Sequence, residues 1–364
     1  MQNFDIAAYY WPAYHDEPLW RRFMPDGIGE WQTIKKSLPK FDGHYQPRVP
    51  LWGYQDEADP KVMQKKIDAA ADHGVNVFIF DWYWYNNAPF LEDSLKKGFL
   101  KAKNNSRIRF YLMWANHDAT TLWNLEKSHN PELIWKGAVS RTKFDCAIER
   151  VIKEYFPHPS YYMINGNPVF SIYELGTLIN GLGGIPETRK ALDSFREKAR
   201  LAGFAGVHIQ AILWALIPTS ASMVPGDKSV TQANTIKALG IDSLTNYQWC
   251  HYVWANGLYK DWGSHAVASW DKWHDEFPVP FFPHVSIGWD TNPRFKAFIK
   301  DLITGSNPED FEEYLGKAMA YIERHDISPR LITINSWNEW SEGSYLEPDK
   351  VFGMRYLEAV RSAL

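Results

Sequence analysis

The sequence predicts a (β/α)8 barrel with long loops at the C-terminal face of its strands, and three observations predict it. Eight short runs rich in β-branched and aromatic residues recur along the 364 residues, and helical stripes separate them. Several of the runs are nearly continuous in apolar residues, as parallel strands buried on both faces require. Polar and aromatic residues gather where the runs end, which is where a barrel builds its active-site face. A doubly wound open sheet is the competing arrangement, but it calls for a glycine-rich turn after the first strand, and this chain has none there. No composition break, internal repeat or low-complexity tail divides the chain, so residues 1–364 are expected to form a single barrel domain.

The strands are expected at residues 4–11, 75–84, 109–116, 168–173, 207–213, 243–249, 281–289 and 331–337. Between the first two, Asp59-Pro60 reads as an N-cap with proline at the first helical position, opening a helix that stops at Gly74. Its apolar residues Met63, Ile67, Ala70 and Ala71 fall on one face. Phe144, Ile148, Val151, Ile152 and Tyr155 make a second stripe, and Leu192, Phe195 and Ala199 a third, with Gly203 as the stop. Pro293 is expected to open a helix carrying Phe295, Phe298 and Leu302. Phe311, Leu315 and Ile322 line the next, and Met354, Leu357 and Val360 the last. The segment 12–58 is far longer than an ordinary connection.

Composition narrows the function. Hydrophobic residues at 45% and charged residues at 23% describe a globular chain with a large core. A net charge of -4 and a pI near 6.3 exclude the basic face of a nucleic-acid binder. No apolar run approaches the ~18 residues of a membrane span. The 18 Trp are unusual, because each buried indole N–H needs a partner. Their excess beside Asn, Asp and Glu is expected to mark a carbohydrate cleft. Cys146 and Cys250 are expected to be buried thiols. His15, His44, His117, His251 and His284 lack paired ligand spacing, so neither metal nor cofactor is expected. The chain is expected to be a monomer. No leader is expected before the first strand; the location is expected to be periplasmic or extracellular if one has been trimmed, and cytoplasmic otherwise.

The chemistry points to residues 331–349, LITINSWNEWSEGSYLEPD. A buried strand breaks there into Trp337, Asn338, Glu339, Trp340, Ser341 and Glu342. Two carboxylates three residues apart beside indoles suit glycoside cleavage: one serves the leaving oxygen, the other the opposite face of the ring. Desolvation by Trp337 and Trp340 would raise one carboxyl into general-acid range. A tight turn gives the short spacing of a retaining pair and a looser one the inverting gap; two solvated surface acids are the bland alternative. Other strand ends supply stacking and hydrogen-bonding candidates. These are Tyr9, Tyr10 and Trp11; Asp81, Trp82, Tyr83 and Trp84; Trp114 and Asn116; Tyr247; and Trp289 and Asp290. Asp81 either orients a hydroxyl or caps its loop. Glu347 is read as structural.

Tyr9-Tyr10, the block Gly43-His44-Tyr45-Gln46-Pro47-Arg48-Val49-Pro50, FDWYW at 80–84, Trp114-Ala115-Asn116 and WNEWSEG at 337–343 together resemble the WbsX-like group. That group is similar to glycoside hydrolase family 99, endo-acting α-mannosidases and α-mannanases on a (β/α)8 barrel. The resemblance runs from Asp5 to about Pro348 and adds His44 and Tyr45 to the substrate-binding candidates. It implies Glu342 as general acid/base and Glu339 as the carboxylate that deprotonates the sugar's own 2-hydroxyl, giving a 1,2-anhydro intermediate and net retention. His117-Asp118 departs from the acid and aromatic residues that the resemblance leads one to expect after the third strand, which bears on the substrate. The WbsX label was attached to glycosyltransferases of surface-polysaccharide synthesis. Three readings therefore stand: a retaining glycosidase on an α-linked, mannose-like glycan; a transferase needing a diphosphate site, with Arg48 and Arg294 as candidates; and a non-catalytic carbohydrate-binding barrel.

Overall fold

A computed structural model describes residues 4–214 and 231–364. Eight parallel strands form a nearly closed barrel among these residues. In chain order they are β1 (Asp5–Tyr10), β2 (Val77–Tyr85), β3 (Arg109–Trp114), β4 (Asn167–Ile172), β5 (His208–Ile212), β6 (Ser243–Thr245), β7 (His284–Ser286) and β8 (Leu331–Asn335). β8 pairs with both β1 and β7, so the end of the chain returns beside its beginning. Closure between β6 and β7 rests on two bonds, Leu244 N to Pro280 O and Phe282 N to Leu244 O, both 2.8–2.9 Å. Seven strands begin within two residues of their expected starts and β7 begins three residues late; β6 and β7 regularise over only three residues each.

Pleating decides what each strand presents. In β2, Asp81 and Tyr83 point into the barrel mouth, while Phe78 and Phe80 pack outward against Phe99. The barrel interior below the mouth is hydrogen-bonded rather than aliphatic. The Tyr111 hydroxyl donates to Gln210 at 3.0 Å, Thr245 meets Thr333 at 2.8 Å, and His284 meets Thr333 at 2.9 Å.

The helix Pro60–Asp72 forms where expected, with the Asp59 carboxylate accepting from Lys61 N at 2.8 Å. The helix expected from Pro293 does not form. Only the turn Asn292–Arg294 is helical, and Ile303–Thr304 pairs as a short strand instead. Tertiary charge overrides the apolar periodicity there: the Arg294 guanidinium enters the barrel mouth between three carboxylates. Cys146 is also corrected, being exposed on the helix Arg141–Glu154. It stands two residues from Phe144, and a 3.6-residue period puts that position on the opposite face. Cys250 is half-buried.

The expectation that excess tryptophan marks the cleft needs the same correction. Trp20, Trp31, Trp82, Trp114, Trp249, Trp262, Trp337 and Trp340 are fully buried in packing. Their rings pack against other buried side chains rather than face solvent. No helix among the described residues is long and apolar enough to cross a membrane.

Candidate active site

A cavity of about 290 Å³ opens at the C-terminal mouth of the barrel, where Asp81, Tyr247, Arg294, Glu339 and Glu342 converge. Asp81 comes from the inward position of β2 just before Tyr83, Tyr247 from the loop after β6, and the glutamates from the loop after β8. Ser336 positions the last of these, its hydroxyl accepting from Glu339 N at 2.7 Å and from Asn338 N at 3.1 Å. The loop turns sharply at Gly343, whose φ is +67°; a Cβ there would lie 2.5 Å from an Arg48 nitrogen, so only glycine fits.

One guanidinium spans the carboxylate pair. Arg294 Nη1 donates to Glu342 Oε1 at 2.7 Å and Nη2 to Glu339 Oε2 at 3.3 Å, while Nε lies 3.4 Å from Glu30 Oε1. Glu30 is fully buried and is also held by Trp11 Nε1 at 2.6 Å and the Ser341 hydroxyl at 2.9 Å. The Tyr247 hydroxyl lies 2.8 Å from Asp81 Oδ2 and 3.0 Å from Glu339 Oε1. Two carboxyl oxygens of this cluster are buried without a partner, Glu342 Oε2 and Asp81 Oδ1.

Electrostatics follow from burying four carboxyl groups around one cation. Burial and the neighbouring Glu342 charge push Glu339 well above the usual carboxylate range, with Arg294 opposing. Burial raises Glu342 as well, offset more strongly by its shorter Arg294 contact. Burial drives Asp81 well up, although the Tyr247 bond pulls the other way. Desolvation thus favours the protonated forms of Glu339, Glu342 and Asp81. Arg294 stays charged, because Glu342, Glu30 and Glu339 outweigh its desolvation.

The sequence profile of the family described as Glycosyltransferase WbsX matches residues 6–360. The chain belongs to the WbsX family. Curated relatives of this WbsX-family chain include two copies of an uncharacterized protein WxcX, from Xanthomonas campestris pv. campestris strains ATCC 33913 and B100. Each is 25% identical over 368 residues, covering 99% of this chain and 49% of the relative. The chain thus spans about half the length of the curated relatives it matches. Among solved structures, the family-99 endo-α-mannosidase of Bacteroides thetaiotaomicron superposes with a TM-score of 0.64 at 15% identity, over 100% of this chain and 97% of that one. A glycoside hydrolase-like protein superposes at 0.61 and 14%, over 100% and 94%. These likenesses establish the shared barrel.

Within the WbsX-family barrel, the structure brings Trp11, Asp81, Tyr83, Tyr247, Glu339 and Glu342 to one cavity. Pleating and packing send the other candidates elsewhere. Tyr9 lies beneath Tyr247, ring centroids 4.6 Å apart, and Tyr10 faces outward onto Phe78 and Phe80. Trp82 stacks on Trp84, Trp114 on Phe144, and Trp337 packs on Phe78. Asn116 clamps the Glu174 backbone through two 2.8 Å bonds. Asn338 does the same to Trp11, and Trp340 stacks on Tyr345. His44, Tyr45, Trp289 and Asp290 line a separate cavity of about 320 Å³ on the outer side of the Glu342–Gly343 turn. There Asp290 is gripped by His44 at 2.9 Å and Arg48 at 2.7 Å; burial would raise its pKa, but these contacts hold it well below the usual range.

Sequence reasoning missed Glu30 as a site residue and did not single out Tyr173, Trp123 and Trp214, which also line the barrel-mouth cavity. Tyr173 and Trp214 follow β4 and β5, so the strand-end rule would have found them had it been carried to those two strands. Trp123 sits inside a long loop and Glu30 inside segment 12–58, where no periodicity points to them. His117, at the departure from the family pattern, lines the cavity too.

Proposed function

We propose that this chain is a retaining glycoside hydrolase acting on an α-linked, mannose-like glycan or polysaccharide through a 1,2-anhydro sugar intermediate. The observation that carries this reading is the asymmetry of the carboxylate pair. Glu339 receives two donors, Tyr247 and Arg294, whereas Glu342 receives one and leaves Oε2 bare beside the cavity. The upward shift is greater at Glu339, where the Glu342 charge adds to burial. A carboxylic proton nevertheless needs an oxygen not already filled by donors, and that oxygen is Glu342 Oε2. The bonding therefore supports Glu342 as acid and Glu339 as base.

In the first step Glu339 takes the 2-hydroxyl proton, O2 attacks C1, and the C1–leaving-oxygen bond breaks as that oxygen takes the Glu342 proton. In the second, water attacks C1 and opens the three-membered ring. Its proton goes to Glu342, and O2 recovers the one on Glu339. Two inversions give net retention. Trp11, Tyr83, Trp123 and Trp214 supply rings for the apolar faces of sugars.

The family description favours the transferase as second reading. Against it, the two arginines that could meet a diphosphate are occupied, Arg48 by Asp290 and Arg294 by the glutamates. Digestion of a panel of α-linked glycans, followed by NMR of the product anomer, tests the proposal. Cleavage with retained α-configuration is expected. An inverted product, or sugar transfer from a nucleotide donor without hydrolysis, would replace it.

A further inference from the structure

The Tyr247 hydroxyl sits between two carboxyl oxygens, 2.8 Å from Asp81 and 3.0 Å from Glu339, but has one hydrogen to give. If both acids were ionised, one contact would set a phenol lone pair against a buried anionic oxygen. A second hydrogen therefore lies on this line, on Asp81 or on Glu339. Their surroundings distinguish them. Glu339 also meets Arg294, which favours its anion. The only partner of Asp81 among the described residues is Tyr247, and its Oδ1 has none.

We propose that Asp81 is a carboxylic acid in the resting protein, donating to Tyr247 so that Tyr247 donates to Glu339 and holds it ionised. Asp81 and Tyr247 are then positioning residues that set the charge of the base. The inference rests on the glycosidase reading only for that last role; the protonated Asp81 stands on the geometry alone. The other groups around the line are consistent with it. Asp81 is surrounded by the hydroxyls of Tyr9, Tyr83 and Tyr173 and feels Glu342; none of these supplies a cation. Glu339 faces Glu342, Glu30 and Tyr14 besides Arg294. His251 stacks on Tyr247 and burial lowers it to about 3, and burial also lowers His117 and His284, so no imidazolium competes for the line. Turning the phenol and moving one proton would produce the reverse arrangement, Glu339 protonated and Asp81 ionised. The pair thus has an active and an inactive tautomer.

Infrared difference spectroscopy on the full chain at neutral pH, without substrate, tests the protonation. Asp81→Asn should remove one carboxylic C=O band, and Tyr247→Phe should shift that band while keeping it. Asparagine can still donate to Tyr247 from its amide nitrogen, so the fold has no reason to change. A spectrum in which Asp81→Asn removes a carboxylate band instead overturns the proposal. With a cleaved substrate in hand, the acidic limb of kcat/KM reports ionisation of the base. Tyr247→Phe should move that limb up by about one pH unit, because the anion loses a donor. Asp81→Asn should leave its position in place, since one neutral group replaces another. A downward move with Asp81→Asn would mean that a negative charge had been removed, and would overturn the proposal. A chain that cleaves no glycan yet shows the infrared loss keeps the Asp81 proton and loses the glycosidase reading.

Discussion

Arg294 and Lys66 are both buried cations bracketed by glutamates, yet they sit in regions of opposite character. Lys66 is fully buried between Glu57 and Glu347, 2.7 Å from the latter. Asn338 donates to both oxygens of Glu57, at 3.1 and 3.2 Å, and Trp340 Nε1 to the remaining oxygen of Glu347 at 3.0 Å. Every carboxylate oxygen there has a partner, and none borders a cavity described above. Around Arg294, by contrast, two carboxyl oxygens are bare and the group faces open space. Buried charge alone does not mark a functional site. Unfilled lone pairs with access to a cavity do, because a fully satisfied network gains nothing from a ligand.

The sharpest way to break this contrast is to remove one ionisable group from each region. Glu342→Gln is expected to lower kcat/KM about a thousandfold on a cleaved glycan. Its urea midpoint should hold, since glutamine replaces a neutral acid of the same shape and its amide oxygen can still accept from Arg294. An unfolded Glu342→Gln protein would place Glu342 among the structural groups. Lys66→Met should do the reverse. Leaving Glu57 and Glu347 buried without their cation costs about 3–5 kcal/mol of stability. The folded fraction should keep its turnover. Loss of turnover at unchanged stability would show that the Lys66 cluster belongs to the site.

Titration of Glu57 gives a smaller effect. Burial first, then Glu347, raises it from 4.5 to about 7, against the pull of Lys66 and Asn338. Between those values the folded chain holds a proton that the unfolded chain has released. Stability from this group is therefore complete below pH 4.5 and falls as pH rises, until it is gone above about 7. The span amounts to about 3 kcal/mol at most. Denaturant titrations of wild type and Glu57→Gln across this window should diverge on the alkaline side, and parallel curves would refute the assignment. Smallest of all, exposed Cys146 should react with a thiol reagent faster than half-buried Cys250, with turnover unaffected at the stage when only Cys146 is labelled.

Much of the fold was legible because its signals are local. Apolar runs announced all eight strands, and Asp59-Pro60 announced its helix. The helix read from Pro293 failed because Phe295, Phe298 and Leu302 carry the right period while Arg294 carries a charge that three distant carboxylates claim. The site was legible in its chemistry but not in its membership. Strand ends pointed to the rim where the cavity opens, yet Trp82, Trp84, Trp114 and Trp337 turned outward. Adjacent residues on a pleated strand face opposite ways, and a one-residue offset, invisible in a run of aromatics, decides which enters the barrel.

By itself, the sequence determined the barrel, the family and the pair Glu339 and Glu342 after the eighth strand. These depend on neighbours within a few residues. Only the tertiary structure decided that Glu30, 309 residues before Glu339, shares an arginine with it, and that one tyrosine hydrogen must serve Asp81 and Glu339 together. The physical reason is that proton and charge placement depend on distances in space and on exclusion of water, and both arise only when the strands close.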